Sequence, residues 1–340
     1  MPAVIQVMPT PIVRKAPPKV VGPTNANPIR PTKKLPQYMI KEGLARQPIQ
    51  FDAMKHLSFK KPSKLYTMEE IGLAGEGISN TAASEPFSLF TPEAIKQMRA
   101  EIFSPEVLEN NQFASAFASN MIRGYGPKLA PFIFDPYNSP EFLRVISDLA
   151  GLDLVPASDW ETGHTNVWFE DGQVDANRTE KSAFSWHRDS FPFVCVTMLS
   201  DCTGMTGGET AMRMGTGGIM KVRGPSMGTS CIMQGRYIEH AALTAEGIPE
   251  RIAIVTAFRP KDPLVTDELI LTGSRPISHK EDLYYQYSKY RLDVIEARSR
   301  HQFKKIMEHK RYGRDFDADE MKQWLAQQRD FIDAWIGELI

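Results

Sequence analysis

The chain has 340 residues, 40 of them basic and 41 acidic, so its formal net charge is −1 and no overall field draws it to nucleic acid or to an anionic membrane. A hydrophobic content of 42% and a charged content of 24% are those of an ordinary globular protein, long enough for one large domain with extensions or two smaller ones. Three cysteines, Cys195, Cys202 and Cys231, make neither a C-x-x-C pair nor a disulfide framework, and no stretch reaches the roughly 18 apolar residues of a membrane span. Buried thiols, a cytoplasmic location and a small-molecule partner are expected.

Residues 1–85 read as a proline-rich extended arm followed by an irregular segment. The first acidic residue is Glu42, and the basic residues before it superficially suggest a transit peptide. Nine prolines between Pro2 and Pro36 exclude the amphipathic helix such a peptide needs, because each fixes φ and removes a donor. The arm is expected to lie over the domain or over a second subunit. From residue 86 to 340 the pattern is that of one domain. Helix starts with proline in the first turn occur at Thr91-Pro92, leading into Ile95, Met98 and Ile102, and at Ser104-Pro105, leading into Val107, Leu108, Phe113, Phe117 and Met121. A third, at Ser139-Pro140, carries Phe142, Ile146 and Leu149 to a stop at Gly151.

Between about 160 and 260 the texture becomes β. Thr165–Phe169, Phe193–Leu199, Ser230–Met233 and Ile252–Phe258 are rich in β-branched and aromatic residues and are separated by glycine clusters, as in a barrel or sandwich. From about 280 to 340 helices return: Leu283, Tyr287, Tyr290 and Val294 share a face, and Asp317 with Glu320 forms a cap-like pair before Trp324, Phe331, Trp335 and Leu339. That last stripe is expected to bear on the active site or on a homodimer contact. The fold class is α+β, a mainly β core flanked by helices.

Within the β region, Ser185-Trp186-His187-Arg188-Asp189 places an imidazole and a carboxylate on one side of an extended segment. His240 follows 51 residues after Asp189, far enough for intervening strands to return the chain beside the first. Two imidazoles and a carboxylate on one face of an octahedron leave three positions open, which suits Fe(II) that must bind an oxidisable cosubstrate and O₂ together; zinc more often takes four tetrahedral ligands. His187, Asp189 and His240 are therefore the candidate metal ligands. Among the other histidines, His56, His301 and His309 lie among lysines and read as solvated, and His164 and His279 as structural. Arg251, ten residues beyond His240, opens the strand Ile252–Val255 and could present a planar fork to a carboxylate in the same barrel; the alternative is a surface pair with Glu250 or Glu246.

His-x-Asp, a distal His and an Arg after ten residues resemble the Fe(II)/2-oxoglutarate-dependent dioxygenases, and Gly207-Gly208-Glu209-Thr210 is similar to a turn of the prolyl-hydroxylase-like branch. The resemblance spans roughly residues 160–260. It implies a double-stranded β-helix, or jelly roll, with Fe(II), 2-oxoglutarate and O₂ as cofactors and Arg251 gripping the far carboxylate of 2-oxoglutarate. The run from Tyr237 to Leu243, Glu250-Arg251-Ile252 and Phe258-Arg259-Pro260 looks most like fungal members of secondary metabolism. Where many relatives have Arg-x-Ser, this chain has Arg251-Ile252-Ala253, so another group must replace the hydroxyl. Asn166 is similar in placement to residues that contact the cosubstrate, with an ordinary strand-edge amide as its alternative; Trp168 shares its face and is a candidate for the substrate pocket or for the core. Phe184, Phe191 and Phe193 permit an apolar pocket, and Arg236 and Arg259 a carboxylated one. The implied reaction is oxidation of an unactivated C–H bond of an amino acid or secondary metabolite, by hydroxylation or by desaturation or ring closure such as aziridine formation. A non-enzymatic jelly-roll binding or interaction module is the competing reading.

Overall fold

A computed structural model of the chain describes residues 15–24, 27–170, 182–223 and 226–340. The part of the arm before residue 15, with Pro2, Pro9 and Pro11, lies outside the described residues. Eight strands form the core: β1 (His164–Phe169), β2 (Ser182–His187), β3 (Phe193–Met198), β4 (Thr210–Arg213), β5 (Ile219–Val222), β6 (Thr229–Met233), β7 (His240–Leu243) and β8 (Glu250–Pro260). The large sheet contains the order β6–β3–β8–β1 and the small sheet the order β5–β4–β7–β2, every pair antiparallel. The chain thus passes repeatedly from one sheet to the other, which makes a double-stranded β-helix closed over its own interior.

Alternation along the strands decides what enters that interior. On β8, Arg251, Ala253 and Val255 face between the sheets, while Ile252 and Ile254 turn outward and are fully buried beneath helices. On β1, His164, Asn166 and Trp168 share one face, in register with Val255, Ala253 and Arg251 of β8. Because the outer face is covered by helices, β8 is buried on both sides and reads as a near-continuous apolar run.

The covering helices are α1 (Gln37–Leu44), α2 (Pro92–Ile102), α3 (Pro105–Asn110), α4 (Pro131–Asn138) and α5 (Pro140–Ala150). Thr91 caps α2 by accepting from Ala94 N, and Ser139 caps α5 by accepting from Phe142 N. Gly151 ends α5 at φ 67, a left-handed conformation that glycine adopts without steric cost. Phe142 stacks on Phe258 of β8 at 6.0 Å, fastening α5 to the large sheet. The helix expected from Ser104 to Met121 stops at Asn110. Asn111 exchanges hydrogen bonds with Arg123, and Gln112–Phe113 pairs with Met121–Ile122 at the edge of the large sheet. A short amide side chain that satisfies nearby backbone competes with helix continuation. The segment before residue 85 also differs from its irregular expectation, since it contains α1 and the strands Leu65–Thr67 and Thr81–Ser84, which extend the large sheet beyond β6.

Residues 15–24 lie over the domain, with Arg236 donating to the Pro18 carbonyl and Lys15 3.5 Å from Glu76. All three cysteines are free thiols. Among the described residues no helix is long and apolar enough to cross a membrane.

Helices α6 (Lys280–Arg311) and α7 (Ala318–Glu338) close the chain. The face of α6 carrying Leu283, Tyr287, Tyr290 and Val294 is buried. Asp317 caps α7 by accepting from Asp319 N and Glu320 N. The apolar stripe of α7 is only partly used: Phe331 is buried beneath Arg291 and Arg298, at 3.9 and 4.5 Å, whereas Leu325 and Ile336 are 50% and 64% exposed. At its end, the Glu338 carboxylate accepts from Leu271 N and Arg275 Nη2, both at 2.7 Å. Removing residues 321–340 is expected to leave insoluble or strongly destabilised protein, because loss of a buried Phe side chain alone costs about 3–5 kcal/mol. Size-exclusion and thermal melting of the truncated chain check this; a soluble monomer with an unchanged melting temperature would rule it out.

Candidate active site

His187 is the last residue of β2 and His240 the first of β7, and the two are directly paired across the small sheet. Their rings stand 4.2 Å apart. Two residues beyond His187, Asp189 turns its carboxylate between them, with Oδ1 3.3 Å from His187 Nε2 and Oδ2 3.6 Å from His240 Nε2. One ligand atom from each of the three lies within 4.8 Å of the others. Each imidazole is oriented locally: His187 Nδ1 is 2.8 Å from the Ser185 carbonyl and His240 Nδ1 2.9 Å from the Ile238 carbonyl. Protons on both Nδ1 atoms leave both Nε2 lone pairs aimed at the common centre.

The charge state agrees with that geometry. Burial drives His240 down to about 4 despite the neighbouring Asp189, so its ring is neutral near pH 7. Burial pushes the Asp189 carboxyl upward, but His240 and His187 outweigh it and hold the group below its usual value, ionised. Asp189 Oδ2 is nonetheless buried without a hydrogen-bond partner among the described residues. A carboxylate left short of a donor beside two imidazole nitrogens is the donor set of a divalent transition metal.

Gly235, in the turn between β6 and β7, makes room for this carboxylate. Its carbonyl accepts from Asp189 N at 2.9 Å, and a Cβ on it would stand 1.8 Å from Asp189 Oδ2. Its backbone is not in the left-handed region, so Gly235→Ala tests the close approach alone. We expect that variant to fold and to bind Fe(II) about 10- to 100-fold more weakly, as when a group orienting a metal ligand is lost. Metal titration of the folded protein measures it; unchanged affinity would show that Asp189 does not need this position.

Two cavities meet at the triad, sharing His164, Phe184, His187, Asp189, Val194 and Val255 in their walls. The first, of about 90 Å³, ends at Arg251 and includes Asn166, Thr210 and Ala253. Arg251 is 6% exposed and its Nε donates to the Gly208 carbonyl at 3.2 Å. Gly207 and Gly208 both have φ 71, and a Cβ on Gly207 would meet the Thr244 carbonyl at 2.2 Å, so the Gly-Gly turn needs glycine to bring the Gly208 carbonyl to Arg251 Nε. Among the described residues no carboxylate lies within ion-pair distance of Arg251. Glu250 is directed to the opposite face, where Arg99 Nη1 reaches it at 2.5 Å and Tyr38 at 2.8 Å, and Glu246 is exposed. Burial lowers Arg251 from its usual value, as expected of a cation removed from water with no anion beside it. Thr210 stands in the wall of this cavity, where Ala253 offers no hydroxyl.

The second cavity, of about 70 Å³, is lined by Phe117, Arg123, Glu161, Ser190 and Phe191, and by Val21 and Pro23 of the arm and Gly273 and Ser274 behind β8. Several expectations change here. His164 is not merely structural: it lines both cavities, burial and then Arg123 hold it well below its usual value, and its Nε2 is buried without a partner among the described residues. Its signal in the sequence was its parity with Asn166, two residues on. Arg236 and Arg259 are outside both cavities, the first bonded to the Glu268 and Pro18 carbonyls and the second over the Tyr290 ring; the arginines in the wall of the second cavity are Arg123 and Arg188. Trp168 is paired with Arg251 across the strands, packs against the cluster of Met198, Cys202, Met205, Ala245 and Ile248, and is absent from both cavities. Phe184 and Phe191 line the second cavity, but Phe193 belongs to the core. His56 is buried against Phe51 and Phe132 rather than solvated.

No family model matches the sequence, and no curated protein is similar to it at a significant level. Solved structures that it resembles include a 2OG-Fe(II) oxygenase family oxidoreductase from Burkholderia pseudomallei, with 15% identity over 41% of this chain and TM-score 0.30. The match spans 65% of that protein, a little under two thirds of its length. A Pseudomonas putida prolyl-4-hydroxylase is similar at 15% identity over 51% of this chain and 89% of its own, TM-score 0.30. AviO1 from Streptomyces viridochromogenes Tue57 is similar at 15% identity over 52% and 87%, TM-score 0.33. At these TM-scores the likeness carries no argument about activity, which rests on the residues of this chain.

Proposed function

We propose that this chain is a mononuclear non-haem iron oxygenase that uses 2-oxoglutarate and O₂ to oxidise an unactivated C–H bond of a small molecule. The observation that carries the reading is the conjunction, in one interior, of a three-ligand facial set with a desolvated arginine that has no carboxylate partner among the described residues. His187, Asp189 and His240 would hold Fe(II), and Arg251, with Asn166 and Thr210 beside it, would seat the cosubstrate. Bound there, Fe(II) with 2-oxoglutarate and O₂ supplies an oxidant whose formation releases succinate and CO₂. The protein's share is positioning and dryness: Nδ1 contacts fix the imidazoles, Gly208 fixes the Arg251 fork, and Phe117, Phe184 and Phe191 keep water from the substrate side.

A binding module without catalysis would have no use for three unshared ligand atoms facing one point. Fe(II)-dependent release of succinate from 2-oxoglutarate is the direct test, and its absence above a metal-free control would sink the oxygenase reading. The reaction we propose is hydroxylation, or else desaturation or ring closure of the kind that forms an aziridine from an amino acid, in keeping with the likeness to fungal secondary metabolism. Under ¹⁸O₂, hydroxylation adds one labelled oxygen to the product, whereas the second route yields an unlabelled product two hydrogens lighter.

A further inference from the structure

Of the two cavities at the triad, the second contains charge that the proposed cosubstrate does not use. Arg123 is 1% exposed and bonded through Nη2 to Glu161, itself 4% exposed. A guanidinium has five N–H donors, and among the described residues this one spends a single side-chain hydrogen bond, on Glu161; its Nε is buried with no partner. His164 beside it has a buried Nε2 with no partner among the described residues. Fold stability does not account for such a pair, because an enclosed ion pair is at best comparable with well-packed apolar residues of the same volume. Unused donors that face a cavity are accounted for by a ligand.

Resting on the oxygenase reading, we propose that this cavity binds a small α-amino acid as its zwitterion, with Arg123 taking the carboxylate and Glu161 the ammonium. The Arg123–Glu161 pair is neutral overall, so it has opposite charges to offer but no net charge of its own, and Arg188 and Asp189 elsewhere in the wall are likewise one of each sign. An anion alone would be set against the Glu161 carboxylate, and a cation alone against the Arg123 guanidinium. A zwitterion satisfies both.

Size narrows the class further. A volume of about 70 Å³ is room for a handful of water-sized groups at roughly 10–15 Å³ each. That is the scale of a small amino acid with a short branched or thioether side chain rather than of a peptide or a terpenoid. The arm sets this limit: Val21 and Pro23 form part of the wall, and Gly22 between them lies so close to the Thr272 carbonyl that a Cβ would stand 2.2 Å from it. The shared wall of Phe184, His187 and Asp189 then directs the amino-acid side chain toward the metal.

The test is calorimetric and requires no turnover. The full chain, with Mn(II) in place of iron and saturated with 2-oxoglutarate, is titrated with L-valine, L-leucine and L-methionine, then with the same carbon skeletons lacking the amine or lacking the carboxylate. At least one amino acid is expected to bind, and its two truncated analogues at least tenfold more weakly. In Glu161→Gln that amino acid should fall to the affinity of its deaminated analogue. Should that variant not fold, the ligand series on the unaltered chain decides alone. Equal binding of an amino acid and its deaminated acid, an unchanged affinity in Glu161→Gln, or no binding by any of the three amino acids would overturn the proposal. Because 2-oxoglutarate binding is measured first, its loss would count against the oxygenase reading and not against this one.

Discussion

Asp189→Ala is expected to abolish Fe(II)-dependent turnover, with succinate release no higher than in a metal-free control. The carboxylate stands between two imidazoles at 3.3 and 3.6 Å, so its removal leaves two nitrogen ligands from adjacent strands. Two imidazoles retain a divalent cation far less well than the full facial set. His187→Ala and His240→Ala should have the same outcome. Fe(II) titration alongside the succinate assay separates lost metal from misplaced metal. Full activity in Asp189→Ala would remove the basis for the metal assignment.

Arg251→Ala is expected to raise the concentration of 2-oxoglutarate needed for half-maximal turnover by a factor of roughly thirty to several thousand. Truncating one partner of a desolvated, hydrogen-bonded charge pair costs about 2–5 kcal/mol, at 1.4 kcal/mol per tenfold. The substrate requirement should change much less, because Arg251 lines only the first of the two cavities. Steady-state kinetics with each reactant varied in turn gives both numbers. Equal shifts, or none, would assign Arg251 to the support of the Gly207-Gly208 turn instead of to a ligand.

The site could be read from the sequence where period-two geometry sufficed. His187 and Asp189 share a face by parity alone, and Arg251 opens a strand whose apolar run is plain from Ile252 onward. The same rule, applied backward from Asn166, points to His164. What parity cannot supply is the identity of the partner across the barrel. Arg123 and Glu161 are 38 residues apart and meet only because Met121–Ile122 pairs with β1. Likewise, Arg236 looked available for a carboxylate until the arm placed the Pro18 carbonyl against it. Strands β4 and β5 escaped notice because they are short and their outward residues, Arg213, Ile219 and Lys221, do not alternate cleanly with apolar ones. The Ser104 helix was drawn too long because Phe113 and Met121 fit a helical stripe as well as they fit the hairpin they form.

The cross-strand pairing of His187 with His240 also bears on how the molecule keeps its shape. The 187–189 turn is held to the 235–240 turn by one backbone hydrogen bond, Asp189 N to Gly235 O, and the pairing of β2 with β7 is irregular just beyond His240. An ion coordinated by all three side chains would therefore act as a clip across this irregular pairing and the turn beyond it. A ligand that binds only the folded state adds stability by mass action, about 2.7 kcal/mol at a hundred times its dissociation constant. On that footing the metal-loaded protein would melt at a higher temperature than the metal-free one, and a chelator would lower its stability as well as its activity.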